Sequence, residues 1–208
     1  MPQSAPTERH FTYGDYRRWP DDERWELIDG RPFNMSPAPT RLHQKLVLEI
    51  ARQLGNQLED GPCEVYVAPF DVRLADGDES DEEVANVVQP DVIVICDPTK
   101  LDDAGCRGAP NWIVEVLSRS TAVKDQTEKL ALYERHGVRE YWLVHPTDQV
   151  LTIYRLQDGA YGRPLIGPLT GESECAAVRG LRVRWPQADQ AEPARMPSPE
   201  GSRGPGYR

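Results

Sequence analysis

The sequence lacks several features that would assign it at once to a familiar class. No apolar run approaches the roughly 18 residues that span a membrane, and the longest run near the middle covers only residues 92–96. The opening residues, MPQSAPTERHF, contain no apolar core of a signal peptide, so we expect a cytoplasmic protein without membrane contact. Neither a GxSxG nucleophile elbow nor a Walker phosphate-binding loop occurs. These absences argue against serine hydrolases and P-loop enzymes.

Cysteine and positive charge are also scarce. The four cysteines form no CxxC pair, which argues against structural zinc, and Cys96 is interpreted as a small core residue at a strand end. The 24 basic residues are outnumbered by 34 acidic ones, giving a net charge of −10. This balance disfavours a protein that coats nucleic acid through bulk charge, but it allows an enzyme with a local basic groove or a bound metal. The acidic segment 76–83 is expected to be a solvated connection, or alternatively a segment that repels non-target DNA.

The length of 208 residues is that of one domain with tails. Proline and glycine crowd the C-terminal end, where large apolar side chains are almost missing. We therefore predict a flexible N-terminus at 1–10, a folded domain at 11–186 and a disordered tail at 187–208.

Hydrophobic periodicity predicts helices and strands in mixed order. Leucine and isoleucine recur every four residues over 40–59, which predicts the clearest helix, and a second helix is predicted over 121–136. Short β-branched runs predict strands, of which 87–96 and 111–117 should be central and buried on both faces. The order predicts an α/β (α+β) fold with a mixed central sheet flanked by helices.

Two acids interrupt the predicted central strands. Asp91 follows Pro90 in VVQPDVIVI, and Glu115 lies within NWIVEVL. A buried carboxylate is costly unless it is paired or bound to a metal. One interpretation is an ion pair or hydrogen bond at a strand end. The interpretation that we favour brings both acids to one point, where a divalent cation relieves their repulsion, and oxygen ligands favour Mg²⁺ or Mn²⁺ over zinc.

The second predicted helix could supply a cation. Asp125, Lys129 and Tyr133 are spaced four apart and share one face, so Lys129 could reach the carboxylates and orient a water molecule. Asp125 and Lys129 could instead form an ordinary surface pair, which the spacing alone favours. Lys124 is a competing cation, but it lies on a different face of the predicted helix.

Five segments follow one another in a recognisable order and spacing. They are ELIDG (26–30), APFDVRL (68–74), VVQPDVIVI (87–95), RGAPNWIVEVLSRST (107–121) and KDQTEKLALYERHGVREYWLVHP (124–146). Together they resemble the Uma-two family of restriction-endonuclease-like proteins, in the PD-(D/E)XK nuclease superfamily. The match covers roughly residues 10–185, and it implies a restriction-endonuclease-like fold.

The resemblance also implies roles for individual residues. Asp91 and Glu115 would hold a catalytic Mg²⁺ or Mn²⁺, with the backbone carbonyl of Val116 as a further ligand. Glu26 matches the family's upstream acid, near the same metal. The superfamily's lysine is missing two residues after Glu115, and in this family its counterpart comes from the following helix, where the match is Lys129.

Other positions keep two interpretations. His43 matches a histidine frequent in the family and either faces the site or bonds a loop. Gln126 or Tyr133 could orient the phosphate. Tyr141 and Trp142 could belong to an interface or to the core.

The function implied is that of a metal-dependent endonuclease that hydrolyses DNA phosphodiester bonds and leaves a 5′-phosphate. Double-stranded DNA is the expected partner, and a homodimer is expected because cutting both strands usually needs two sites. Two alternatives stay open: a non-catalytic binding or assembly module with a nuclease fold, and a metal-dependent phosphoesterase acting on a smaller substrate. Divergent side chains would favour the first alternative, and a narrow closed pocket the second.

Overall fold

The computed structural model describes residues 9–20, 22–35 and 38–185. The tail predicted at 187–208 and most of the N-terminus predicted at 1–10 lie outside those residues. The helices are α1 (Tyr13–Tyr16), α2 (Arg41–Leu58), α3 (Ala122–Gln126) and α4 (Glu128–Arg135). Within the described ranges, none of the helices has the length and apolar character that a membrane crossing requires.

The strands are short and numerous. In chain order they are β1 (Trp25–Ile28), β2 (Arg31–Asn34), β3 (Glu64–Val67), β4 (Val72–Arg73), β5 (Val87–Val88), β6 (Val92–Ile95), β7 (Leu101–Asp102), β8 (Gly105–Arg107), β9 (Trp112–Val116), β10 (Glu140–His145), β11 (Val150–Gln157), β12 (Ala160–Tyr161), β13 (Leu165–Pro168), β14 (Glu172–Glu174) and β15 (Arg182–Arg184).

Most strands belong to two mixed sheets. The central sheet has the order β12-β11-β10-β9-β6-β3, with β13 added beside β11, and its β9–β10 pair is parallel. The hairpin sheet has the order β2-β1-β5-β4-β8-β7, with a parallel β4–β8 pair. The predicted mixed α+β architecture is therefore confirmed, and a second sheet accompanies the predicted central one.

Helix α2 covers one face of the central sheet. It begins after Thr40, whose side-chain oxygen accepts a hydrogen bond from the backbone N–H of His43 at 3.3 Å. One face of α2 is buried and packs into the same core as the inner side chains of β6, β9 and β10. The buried apolar residues on that face are Leu46, Ile50, Leu54 and Leu58. This packing fixes the first turn of α2, and His43 with it.

The segment predicted as one central strand, 87–96, is two strands in two different sheets. β5 pairs with β1 and β4, whereas β6 pairs with β3 and β9. Gln89, Pro90 and Asp91 lie between them, and Pro90 has no N–H with which to continue a ladder. The break carries the chain from one sheet to the other and leaves Asp91 directly before β6.

The second predicted helix, 121–136, is also divided. Thr127 has φ −124° and ψ −82°, outside the helical region, and separates α3 from α4. Its hydroxyl donates to the carbonyl oxygen of Val123 at 2.7 Å, a side-chain bond of the kind that competes with regular helical bonding.

The structure corrects the interpretation of Cys96 and decides between the two interpretations left open for Tyr141 and Trp142. Cys96 forms a disulfide with Cys63, and both are half-buried. The pairing of β3 with β6 places the two cysteines opposite each other, at the end of the ladder. Tyr141 and Trp142 in β10 are each 0 % exposed, so they belong to the core of this chain and not to an exposed interface.

The acidic segment 76–83 is more than a solvated connection. Asp81 lies 2.6 Å from Nη1 of Arg73, and Glu82 lies 2.8 Å from Nη1 of Arg17. Residues 81–83 form a short 3-10 turn. Arginines therefore compensate part of this segment's negative charge.

Candidate active site

Four predicted site residues converge where the two sheets and α4 meet. Nζ of Lys129 lies 2.7 Å from Oε1 of Glu115 and 2.8 Å from Oε1 of Glu26. The backbone N–H of Asp91 donates to Oε2 of Glu115 at 3.3 Å. Glu26 comes from β1, Asp91 precedes β6, Glu115 lies in β9 and Lys129 in α4. Residues distant in sequence thus form one connected cluster.

Asp91 is fixed by two donors. Its Oδ2 accepts the backbone N–H of Val116 at 2.8 Å and lies 3.1 Å from Nε2 of His43. The backbone of Val116 therefore lies beside the Asp91 carboxylate. Burial would lower the pKa of His43, but the hydrogen bond and charge of Asp91, together with the charge of Asp125 and the Val116 backbone, outweigh it and raise that pKa. Of the two interpretations of His43, the structure therefore supports the one in which it faces the site.

The cluster is buried, which excludes an ordinary surface pair at Asp125 and Lys129. Glu26 is 0 % exposed, Lys129 2 %, Asp125 3 % and Glu115 4 %. Burial would lower the pKa of Lys129, but the surrounding carboxylates outweigh it and hold that pKa well above its ordinary value. Burial raises the pKa of Glu115 well above its ordinary value, and Asp125, Asp91 and Glu26 add to the rise against the effect of Lys129. Lys129 is therefore a fixed cation inside an excess of acids.

Lys124 also belongs to the site, although the sequence places it on another face. Its Nζ lies 2.5 Å from Oε2 of Glu26, while the backbone N–H of Gln89 donates to Oε1 of Glu26 at 2.9 Å. Burial would raise the pKa of Glu26, but Lys129 and Lys124 outweigh it and lower that pKa to about 2. In a continuous helix, residues 124 and 129 would project about 140° apart. Because the helix is broken at Thr127, this separation does not apply, and Lys124 and Lys129 both reach Glu26. The only signal of the break in the sequence is Thr127 itself, whose hydroxyl can compete with helical hydrogen bonds.

Of the two residues predicted to orient the phosphate, Tyr133 belongs to the cluster and Gln126 does not. Tyr133 is fully buried, and its hydroxyl donates to Oε1 of Glu115 at 3.1 Å. Gln126 is exposed, and its amide donates to the carbonyl oxygen of Ala122 within its own helix, so it is not part of the cluster. Leu117 is a buried core residue, which leaves the position of the superfamily's lysine apolar.

The donor set at Asp91 and Glu115 fits a hard divalent cation. Among the described residues, no three His, Cys, Asp or Glu side chains are arranged as a metal-binding group. Mg²⁺ does not need three, because proteins bind it through one or two carboxylates while it keeps several waters. Burial is the main cause of the raised pKa of Glu115, and Asp125, Asp91 and Glu26 add to the rise; a bound cation would relieve the repulsion among these acids. Asp91, Glu115 and the Val116 carbonyl offer only oxygen ligands, as Mg²⁺ and Mn²⁺ prefer.

The central sheet thus brings the carboxylates of Asp91 and Glu115 together beside the buried Lys129. The family model of Uma2, described as "Putative restriction endonuclease", matches residues 13–192. The chain therefore belongs to the Uma2 family, as the five sequence segments predicted. Family membership and fold together support nuclease function in general.

Individual relatives extend the comparison. The uncharacterized protein slr1290 of Synechocystis sp. is 26 % identical over 147 residues, which are 69 % of this chain and 73 % of that protein. A second Synechocystis protein, the uncharacterized sll1609, is 27 % identical over 125 residues, 59 % of this chain and 66 % of that one. The crystal structure of a putative nuclease belonging to DUF820 from Anabaena variabilis superposes with a TM-score of 0.60 at 17 % identity, covering 75 % of this chain and 83 % of that one. At this identity the structural match establishes the fold alone.

Proposed function

We propose that this chain is a metal-dependent endonuclease that hydrolyses DNA phosphodiester bonds, with its catalytic domain at 11–186. The observation that carries the proposal is the position of the Lys129 ammonium, 2.7 Å from Glu115 and 2.8 Å from Glu26, with Asp91 bonded to the same Glu115. Buried acids in excess of their cations are typical of functional sites. Membership of a restriction-endonuclease family supports a nucleic acid as the substrate.

Each residue has a role in this proposal. Asp91, Glu115 and the Val116 carbonyl would hold Mg²⁺ or Mn²⁺. When bound, such an ion neutralises phosphate charge and lowers the pKa of a bound water. Lys129 would orient the attacking water and balance the charge that develops at phosphorus. The products would be a 3′-hydroxyl and a 5′-phosphate.

Two neighbours would position these groups. Glu26 contacts the same ammonium of Lys129 as Glu115 does, so it would help to fix where that cation lies. His43 binds Oδ2 of Asp91, which leaves the other carboxylate oxygen to turn toward the ion. Neither residue needs to touch the substrate for these roles.

The test is cleavage of supercoiled plasmid with Mg²⁺ or Mn²⁺ by the wild type, Asp91→Ala and Glu115→Ala. Each substitution should lower the rate at least about 1,000-fold, because the ion then loses a carboxylate ligand. Asp102→Ala is the matched control, since Asp102 pairs with Arg73 in a different cluster, and it should keep the wild-type rate. Equal rates in wild type and both site variants would contradict the proposal.

A small phosphodiester, bis(p-nitrophenyl) phosphate, distinguishes the smaller-substrate alternative. Asp91 is the most accessible acid of the site, because its side chain is 18 % exposed whereas Glu26 and Glu115 are buried with Lys129. A nuclease should cut plasmid DNA in preference to this compound. Hydrolysis of the compound without any DNA cleavage would favour the phosphoesterase alternative.

A further inference from the structure

A second polar network adjoins the candidate active site and is centred on Gln89. The backbone N–H of Gln89 donates to Oε1 of Glu26 at 2.9 Å. Its side-chain amide nitrogen donates to Oδ1 of Asp71 at 2.8 Å and to the hydroxyl of Tyr16 at 3.2 Å. That hydroxyl in turn donates to Oδ1 of Asp71 at 3.1 Å. Gln89 is buried, so these contacts fix both its backbone and its side chain.

The network also fixes the position of an exposed arginine. Because the amide nitrogen of Gln89 faces Asp71 and Tyr16, its amide oxygen is left to face Arg24. This oxygen accepts from Nη2 of Arg24 at 2.7 Å and from Nε at 3.1 Å. The Arg24 carbonyl accepts the backbone N–H of Met35 at 2.9 Å. Arg24 is thus exposed to solvent and yet held through both its backbone and its side chain.

The bond with Gln89 orients the Arg24 guanidinium without neutralising its charge, because the partner is a neutral amide. Arg52 differs in this respect, since its Nε and Nη2 contact the carboxylate of Glu49 at 3.1 and 2.6 Å. Within the described residues, the side-chain hydrogen bonds of Arg24 use Nε and Nη2, and arginine carries further N–H donors on Nη1. An oriented guanidinium of this kind suits phosphate, whose oxygens accept from the planar fork of arginine.

Gln89 also places Arg24 close to the acids proposed to bind the metal ion. Gln89 is two residues before Asp91, so their Cα atoms are at most about 7 Å apart. The same Gln89 contacts Glu26, which lies 2.8 Å from Nζ of Lys129. Phosphates of one DNA strand follow each other about every 3.4 Å along the helix axis. A strand with one phosphate at Asp91 therefore carries further phosphates in the neighbourhood of Arg24.

We propose that Arg24 binds a backbone phosphate of the DNA substrate next to the cleaved bond, and that Gln89 positions Arg24 for this contact. The inference rests on the proposed nuclease function and deepens it, because it assigns a residue to substrate binding beside those assigned to the chemistry. Contacts with phosphate fix where the strand lies but do not read its sequence.

The test measures binding of a fluorescein-labelled DNA duplex by anisotropy over a series of salt concentrations, with Ca²⁺ in place of Mg²⁺ to prevent cleavage. Arg24→Gln removes the charge and keeps an amide donor near Gln89. It should weaken binding several-fold and reduce the slope of log K against log salt by about 1, because one phosphate contact is lost. Arg24→Lys keeps the charge and should keep the wild-type slope.

Arg52→Ala is the matched control for this series. The same two guanidinium nitrogens of Arg52 are bonded, but to the carboxylate of Glu49 and on the surface of α2. Arg52 lies about 13 Å along that helix from His43, which contacts Asp91. The substitution should leave both affinity and slope unchanged.

A second duplex of unrelated sequence shows whether Arg24 binds phosphate or a base. A phosphate contact predicts that Arg24→Gln weakens the binding of both duplexes by the same factor, whereas an arginine bonded to guanine predicts a loss that depends on sequence. In cleavage with Mg²⁺, Arg24→Gln should raise KM for DNA several-fold and change kcat by less than about twofold, because the residues proposed to hold the ion and the water are unaltered.

A double-mutant cycle tests the positioning role of Gln89. Gln89→Met removes the oxygen that holds Arg24 but keeps the backbone N–H that donates to Glu26. It should weaken DNA binding in the wild-type background and have no further effect in the Arg24→Gln background, because Gln89 then has no arginine to position. Additive losses would show that Gln89 does not act through Arg24.

The outcomes separate this inference from the proposed function. If the wild type binds DNA and Arg24→Gln matches Arg52→Ala, the phosphate contact is overturned while the nuclease proposal stands. A slope in Arg24→Lys as low as that in Arg24→Gln, or a loss that depends on sequence, overturns it as well. If the wild type neither binds nor cleaves DNA, both proposals are overturned. A uniform loss of affinity and slope in Arg24→Gln, with an unchanged thermal unfolding midpoint, supports the assignment.

Discussion

Two buried cations in this molecule are surrounded by acids, but in different ways. Arg73 is 1 % exposed, and its guanidinium lies 2.6 Å from Asp81 and 2.6 Å from Asp102, whose side chains are 37 % and 50 % exposed. Around Lys129, the side chains of Glu26 and Glu115 are only 0 % and 5 % exposed. The Arg73 cluster leaves its acids in water, whereas the Lys129 cluster buries acids and cation together.

This difference in the exposure of the acids distinguishes a structural ion pair at Arg73 from a site at Lys129 whose burial destabilises the fold. Acids that remain hydrated lose little on pairing with Arg73, which fastens the acidic segment 76–83 to the hairpin sheet. Fully buried acids lose their hydration, and their mutual repulsion adds to the cost. A buried excess of negative charge is intelligible where a cation is to be bound.

The largest effect on stability should follow removal of the buried ammonium. Lys129→Met leaves Glu26 and Glu115 buried without it, and should lower the free energy of unfolding by about 3 kcal/mol or more. Arg73→Met should cost less, about 1–3 kcal/mol, because Asp81 and Asp102 can return to water. Urea denaturation at pH 7 measures both. A larger loss in Arg73→Met would contradict the distinction between the clusters.

A somewhat smaller effect should appear in the pH dependence of stability. Burial would raise the pKa of Glu26, but Lys129 and Lys124 lower it to about 2, from an ordinary value of 4.5. A lowered pKa stabilises the fold above the ordinary pKa, and that stabilisation is lost as the pH falls toward the folded-state pKa. Wild type should exceed Glu26→Gln by on the order of 3 kcal/mol at pH 7, and the difference should shrink between pH 5 and 3.

The matched control for this pH series is Asp102→Asn. Its hydrogen bond with Arg73 also lowers the pKa of Asp102, but that side chain is half exposed, so its pH-dependent contribution should be smaller. Denaturation at each pH gives both differences. A difference between wild type and Glu26→Gln that does not change with pH would show that Glu26 is not held ionised by the two lysines.

The smallest effect should come from an ion pair at the surface, in which both side chains are more than half exposed. Glu82 and Arg17 are 57 % and 56 % exposed and 2.8 Å apart. Glu82→Ala should change the free energy of unfolding by about 0.5 kcal/mol or less, because exposed pairs gain little over hydration. The urea measurement used for Lys129→Met applies here too. If Glu82→Ala lowered the free energy of unfolding as much as Lys129→Met, burial could not explain the difference between the clusters.

Local patterns in the sequence were sufficient for several elements. The four-residue spacing from Leu46 to Leu58 predicts α2, and Asp29-Gly30 after an apolar run predicts the β1–β2 turn. Glu115 within an apolar strand marks the site, because burial makes an acid there conspicuous. Glu26 has no such local signal. It is a single acid in a short strand, and only the family resemblance singled it out.

Other features depend on partners distant in the sequence. The β-branched residues before and after Pro90 follow one local pattern, and only their pairing assigns β5 and β6 to different sheets. Cys63 and Cys96 are 33 residues apart and are brought together by the register of β3 with β6. Lys124 reaches Glu26 only because α3 and α4 are separate helices. Contacts of this kind cannot be read from local spacing.

The central claim is that the cluster at Lys129 is a metal-dependent centre and that the one at Arg73 is not. Anomalous diffraction from crystals soaked in Mn²⁺ tests it most directly. The account predicts an anomalous peak at coordination distance from the carboxylates of Asp91 and Glu115, and no peak at Asp81 or Asp102. Mn²⁺ bound at Asp81 and Asp102, with none at Asp91 and Glu115, would contradict it.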